Sequence, residues 1–431
     1  MTIHLSNPHF QIFKFPNFQI IFCPFLPNLN ISHLHHTHHS YLISQIVTLS
    51  IIKKPPQLIL ANQPVAFRVQ SSISETPLRI VGAVYGIGGD SVQADDQKNA
   101  SFEFSDYLKN LTSQKGKTGN APQAYSEIPK HISFIFQEIA GNPPQNYAPL
   151  ETETYLLLDA YIPKSKRQSF YFAYANLLSY LTTSKSCLSW WPVNELKRVL
   201  PSQKECINYL QVRSLTPIPV QLDLSLRFTD GTYIFFQDIV RLSNVAYGTI
   251  VYFPTGYSQL GVGNYASNAY PDKTLLSYSV TLSSGSYNQD NNISKIYSYL
   301  VDFGYYQNPR IFVFKNPFGL YEYLLCTGSN QQDNAIKTEM AFTDGQVLPD
   351  KLNWKTTRSD VVKVNTGFLG AEQILWLADL LESTETFELI GAQMQPIVFR
   401  DVELPVVHTG IFQYQAELEY EYAYSEITEI G

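Results

Sequence analysis

The chain has 431 residues, enough for two or three domains, and is 44% hydrophobic but only 16% charged, against about a quarter charged in an ordinary globular protein. Its 29 tyrosines and 26 phenylalanines against 3 methionines exclude disorder for most of its length and argue for sheet over a helical bundle. No run reaches the roughly 18 apolar residues of a membrane-spanning helix. Formal net charge is -7, and residues 401–431 hold seven acids with no lysine or arginine, so the rest of the chain is balanced. It has no basic field for nucleic acid.

Residues 1–52 carry one charge, Lys14, and seven of the nine histidines, five of them in His33-Leu34-His35-His36-Thr37-His38-His39. Prolines 16, 24 and 27 break the apolar run that a secretory signal needs. The histidines lack acidic or cysteine partners and a regular spacing, so a zinc site is not expected. Residues 1–53 are expected to be a disordered or mis-started extension.

From Pro55 the pattern sharpens. Leu58–Leu60 and Val65, Phe67, Val69 predict strand, turn, strand about Asn62-Gln63-Pro64. Leu78–Tyr85 predicts a strand that ends on Gly86-Ile87-Gly88-Gly89. No Lys-Ser/Thr follows these glycines, so they predict a turn and not a phosphate loop. Ala100–Phe104 alternates, and Ser105–Leu108 predicts a short capped helix. Ile132–Phe136, Tyr155–Tyr161 and Ser169–Tyr174 read as strands. Val220, Leu222, Leu224, Leu226 and Phe228 face one way, with Gln221, Asp223, Ser225 and Arg227 opposite. Thr229-Asp230-Gly231 turns the chain into Tyr233–Phe236. Thr249–Phe253 and Leu276–Leu282 make a second pair across a Gly/Tyr/Asn-rich loop, Thr255–Asn268. Asn316-Pro317-Phe318-Gly319 has the type I turn signature between strands Ile311–Phe314 and Leu320–Leu325.

Near the C-terminus, Val361–Val364 predicts a strand. Ala371–Leu381 predicts the best helix, with Ile374, Leu377, Ala378 and Leu381 on one face. Phe387–Ile390 and Pro396–Val402 predict strands. Phe412–Tyr424 alternates aromatic with glutamate for thirteen residues, roughly 43 Å as a strand. Such a strand extends a sheet or reaches a neighbouring chain, with Glu417, Glu419 and Glu421 guarding its outer face.

Catalytic patterns are missing. No G-x-S-x-G, H-E-x-x-H or Walker motif occurs, His131 and His408 are isolated, and Asp95-Asp96 and Asn288–Asn292 lack calcium-loop spacing. Cys23, Cys187, Cys206 and Cys326 have no C-x-x-C spacing and predict reduced, buried thiols. No catalytic, cofactor or metal residues are expected.

Three segments carry a resemblance. Ile311–Glu322 (IFVFKNPFGLYE) with Cys326-Thr327-Gly328 resembles the F-x-N-(S/P)-x-G-x-(Y/W)-(D/E) … T-G segment of a tail-associated structural protein of phages and prophages of Bacteroidota. Asn365–Leu369 through Trp376, Leu380-Leu381-Glu382-Ser383 and Pro396-Ile397-Val398 is similar to that family's closing module. Lys54-Pro55-Pro56 with Ala61-Asn62-Gln63-Pro64-Val65-Ala66-Phe67 is similar to its opening G-N-P-(I/V)-x-F motif. The resemblance implies a non-enzymatic tail or baseplate component, assembled in the host bacterial cytoplasm with copies of itself and other tail proteins. The second reading is a carbohydrate-binding surface adhesin, with Trp190, Trp191, Tyr257 and Tyr265 on a cell-surface glycan.

The expected fold is mainly β: antiparallel β-sandwich modules with a few short helices and one clear helix in the C-terminal module. Expected domains are 54–213, 214–350 and 351–431. Phe412, Tyr414, Leu418, Tyr420 and Tyr422 are the expected inter-subunit strand.

Overall fold

The computed structural model describes residues 49–109, 111, 117, 119–125, 129–192, 195–285, 291–342, 351–391, 393–400, 402–408, 413–423 and 427–429, with the backbone of 12–15 and 18–21. Of 165, 333–342, 351–360 and 427–429 only the backbone is described. In chain order the first part carries β1 (Ile12–Phe15), β2 (Phe18–Ile21), β3 (Leu49–Lys53), β4 (Leu58–Leu60), β5 (Ala66–Ser71), β6 (Leu78–Val84), β7 (Gly88–Gln93), β8 (Asn99–Glu103) and α1 (Ser105–Lys109). Next come β9 (Gln123–Ala124), β10 (Lys130–Ile132), β11 (Phe134–Ala140), β12 (Gln145–Asn146), β13 (Leu150–Glu151) and β14 (Tyr155–Leu158). Helices α2 (Lys164–Ala173) and α3 (Leu177–Ser184) precede β15 (Lys197–Val199), β16 (Cys206–Leu210), β17 (Ile218–Phe228), β18 (Tyr233–Val245) and β19 (Ile250–Pro254). Then follow α4 (Tyr257–Leu260), α5 (Val262–Ala269), β20 (Leu275–Ser283), β21 (Tyr297–Val301), β22 (Arg310–Lys315), β23 (Tyr321–Cys326), β24 (Asn330–Phe342) and β25 (Lys351–Asn365). The chain closes with α6 (Ala371–Leu381), β26 (Thr386–Ile390), β27 (Gln393–Phe399), β28 (Glu417–Tyr422) and β29 (Ile427–Glu429).

The fold is mainly β, built of antiparallel sheets with few helices; β15 on β21 is a parallel exception. None of the described helices is long and apolar enough to cross a membrane. The chain divides into two units, residues 1–111 with 131–156, and residues 112–130 with 157–431. The expected boundaries at 213/214 and 350/351 fall inside the second unit. Backbone ladders cross both, β16 to β19 and β24 to β25. Leu49–Lys53, expected within an unstructured extension, pairs with β5, and β1 pairs with β2. The histidine run lies outside the described residues.

In the first unit β5 lies between β3 and β8, and β6 between β7 and β11. Their inward residues make a core of phenylalanine rings, with Phe67 and Phe134 centroids 4.5 Å apart and Phe102 and Phe136 5.4 Å apart. Gly82 permits this approach, because a Cβ there would stand 2.7 Å from the Phe102 ring. The turn at Ala61–Pro64 separates strands of two different sheets, since β4 joins β10 and β14.

In the second unit β17 lies between β18 and β20. Its fully buried Val220, Leu222, Leu224, Leu226 and Phe228 pack on Ile207 and Tyr209 of β16 and on Val251 and Phe253 of β19. Alternation alone dictates this two-layer core, since every second residue of β17 is apolar. A larger sheet runs β23-β22-β26-β27-β28-β25-β24 with β29 beside β25, and α6 packs on it. The buried face of α6 is Ile374, Trp376, Leu377 and Leu380, rotated from the expected one because Trp376 and Asp379 find buried polar partners. Two expectations fail. Ser169–Tyr174 lies in α2 and its C-cap: Phe170 alone is buried there, with Tyr171 50% and Phe172 94% exposed, a helical and not an alternating pattern. Thr255–Asn268 is not an irregular loop but largely α4 and α5, joined at Gly261 with φ 63°.

Candidate functional site

Trp190 and Trp191 follow α3, and both are half-buried against other aromatic rings. Trp190 stacks on Phe318 at 5.2 Å and meets Phe170 and Tyr180 at 6.0 and 5.2 Å. Lys166 Nζ lies 5.2 Å above its ring. Trp191 meets Trp376 edge-on at 4.8 Å, and Lys197 Nζ sits over both rings. Neither indole N–H finds an acceptor among the described residues. Both side chains therefore act as packing anchors between helices and turns.

Around them lies a buried polar network that no motif announced. Glu322 accepts from Trp376 Nε1 and from Asn316 Nδ2, each at 2.6 Å. Asn316 closes its turn by accepting from the Phe318 and Leu320 amides at 3.0 Å, and Gly319 supplies φ 75°. The tetrad thus forms the predicted turn, and its asparagine also donates to Leu188 O at 2.9 Å. Lys197 Nζ donates to Glu205 at 2.8 Å, and Gln203 donates to the other oxygen at 2.7 Å. Burial pushes the Glu205 carboxyl up, opposed by Lys197. Asp379, 1% exposed, pairs with Lys166 at 2.8 Å, and burial pushes it up to about 7. In each of these two pairs the carboxylate is buried and meets its lysine directly.

Tyr257 and Tyr265, expected on a glycan, are half-buried in α4 and α5. Tyr257 packs edge-on against Phe303 at 5.8 Å and Tyr265 against Phe236 at 4.9 Å.

The closing strand is shorter than expected and lies between two neighbours. β28 spans six residues and pairs with β25 on one side and β27 on the other. Leu418 and Tyr420 are fully buried, and Tyr414 at 7% exposure bonds through its hydroxyl to the His408 backbone. Glu388, ion-paired with Arg310, accepts from Tyr420 and Tyr422. Phe412 lies outside the described residues. Glu419 and Glu421 are matched by Arg400, and Glu419 also by Lys363.

The sheet instead ends on β23 at one side and β24 at the other. Strand β24 pairs with β25 from Asn330↔Val364 to Phe342↔Lys351 and with no second strand among the described residues. At about 3.3 Å per residue its thirteen residues make a ribbon roughly 43 Å long. Sequence reasoning missed it because Asn330–Asn334 shows no apolar alternation.

Cys187, Cys206 and Cys326 are free thiols. Burial pushes Cys187 up to about 12 and the other two higher. Among the described residues no group of three or more His, Cys, Asp or Glu is placed to hold a metal ion.

No protein-family model and no curated protein matches the chain. Among solved structures it is similar to one described as "Structural insight into host cell surface retention of a 1.5-MDa bacterial ice-binding adhesin". Identity is 8%, coverage 71% of this chain and 86% of that chain, and the TM-score 0.18. A likeness at that score carries no argument about fold or function.

Proposed function

We propose that the chain is a non-enzymatic structural component of a phage or prophage tail or baseplate, assembling with copies of itself and with other tail proteins, and contributing to host attachment. One observation supports this above the rest. The thirteen residues of β24 stand at one end of their sheet, laddered to β25 along their length and to no second strand among the described residues. Such an edge adds a strand from a partner, and two copies meeting edge to edge close with two-fold symmetry.

Mass photometry with negative-stain imaging of the full-length chain tests the reading. Discrete symmetric assemblies are expected, and they dissociate when residues 335–359 are replaced by an Asn-Gly turn that reconnects Asn334 to its register partner Asp360. A monomer at all concentrations overturns it in favour of a surface adhesin.

A further inference from the structure

The outer face of the β17 sheet changes character along its length. At one end the outward side chains are buried and satisfied. Asp223 accepts from Ser283 Oγ at 2.6 Å and from the Asp238 amide at 2.7 Å, and Gln221 accepts from Arg241 at 2.8 Å. At the other end the face opens into a groove of about 410 Å³, within the range of small-ligand clefts. The register lays two rows across it, Ser225↔Ser279↔Ser298 and Tyr233↔Arg227↔Ser277.

Three properties of the groove select a ligand. Arg227 is exposed and has no carboxylate partner among the described residues, although acids outnumber bases in this chain by 37 to 30. An unpaired guanidinium is a fork for a carboxylate. Tyr233 is 61% exposed, yet its ring is held in place by a 2.7 Å hydrogen bond from its hydroxyl to Ser225 Oγ. A fixed aromatic ring beside Leu196, itself 48% exposed, suits the apolar face of a pyranose. Ser277, Ser279 and Ser298 floor the groove; the Ser279 and Ser298 hydroxyls bond to each other at 2.8 Å, and each hydroxyl keeps further capacity to donate or accept, as the hydroxyls of a sugar do. One cation does not suffice for a polyphosphate backbone, and a peptide helix would need several apolar anchors.

We propose that this groove, between Leu196, Arg227 and Tyr233, binds a carboxylate-bearing saccharide. Arg227 takes the carboxylate, Tyr233 stacks on the ring, and the serines meet its hydroxyls. The strands hold these groups before the ligand arrives, so little ordering accompanies binding. This site is separate from the ribbon and from the four aromatic residues that the sequence suggested.

The test uses the full-length protein on an array of immobilised oligosaccharides that carry uronate or sialate, beside their neutral counterparts. Retention by the acidic set alone is expected. Arg227→Ala weakens it about tenfold or more, Tyr233→Ala does likewise, and Tyr233→Phe weakens it less than Tyr233→Ala because the ring remains but loses its tether to Ser225. Thermal melting of the variants stays at the wild-type value, since both side chains are exposed. Equal capture of the neutral set, no capture of the acidic set, or unchanged binding by Arg227→Ala overturns the proposal. Assembly size is read on the same samples: loss of assembly with intact sugar binding counts against the tail reading alone, and the reverse counts against the groove alone.

Discussion

Tyr420 and Tyr422 share one acceptor: each hydroxyl donates to Oε2 of Glu388 at 2.8 Å. Residues two apart on a strand project to the same face, so the alternation that suggested an intermolecular strand serves a bond inside the sheet. Arg310 holds the other carboxylate oxygen, and Glu388 is 2% exposed. The carboxylate in turn raises both phenols above their ordinary range, after burial as the larger cause.

Tyr420→Phe therefore removes one donor from a buried carboxylate and lowers stability by about 1–2 kcal/mol. Tyr422→Phe costs less because Tyr422 is only half-buried. Urea unfolding of the two single variants and the double variant checks this. The double variant loses more than the sum, since Glu388 then keeps Arg310 alone; simple additivity would refute the shared-acceptor account.

Trp190→Ala leaves a void bounded by Phe170, Tyr180 and Phe318 and costs about 3 kcal/mol or more. Its effect appears as a lower melting temperature, while binding of any saccharide by the folded fraction is unchanged. A variant that melts like wild type but fails to bind sugar would restore Trp190 as a ligand contact.

Asp379 gives the chain a pH dependence of a definite sign. Burial lifts its folded value to about 7 from an ordinary 3.8, with Lys166 acting the other way. The native state then holds the proton more tightly than the unfolded state. The group's stabilising contribution is complete below about pH 4 and is lost as pH rises to about 7, with a slope of up to about 1.4 kcal/mol per unit. Denaturation of wild type and Asp379→Asn between pH 4 and 8 measures it. The variant's curve is flatter over that window, and parallel curves would contradict the assignment.

How much of this was legible depends on where each residue finds its partner. β17 was readable because its core contact repeats at every second residue over Val220–Phe228. The Asn316–Gly319 turn was readable because asparagine and glycine are required by its own four residues. Ser169–Tyr174 misled because an aromatic run resembles a strand until burial shows Phe170 alone facing inward. β24 left no trace because a strand held by its backbone ladder to β25 needs no apolar alternation. The polar network was invisible for a further reason: Lys166 and Asp379 stand 213 positions apart, and nothing local to either shows that they meet. The groove was half visible, since Ser225 and Arg227 were placed on the outward face, but its other wall comes from Ser277 and Ser298 on separate strands.

Residues 112–130 belong to the second unit although they interrupt the first in sequence. Ala124 pairs with Val251, Tyr125 donates its amide to Ile250 O at 2.8 Å, and Tyr252 reaches Gly119 O at 2.7 Å. The ribosome thus releases one half of this contact about 130 residues before the other. At 5–20 residues per second the early half waits roughly six to twenty-six seconds for its partner. The last residues of the first unit, up to 156, emerge while β19, the partner of the insertion, is still unmade. A gene truncated before β19 would yield that first unit with the insertion permanently bare, and its solubility would report how well the nascent chain protects itself during the wait.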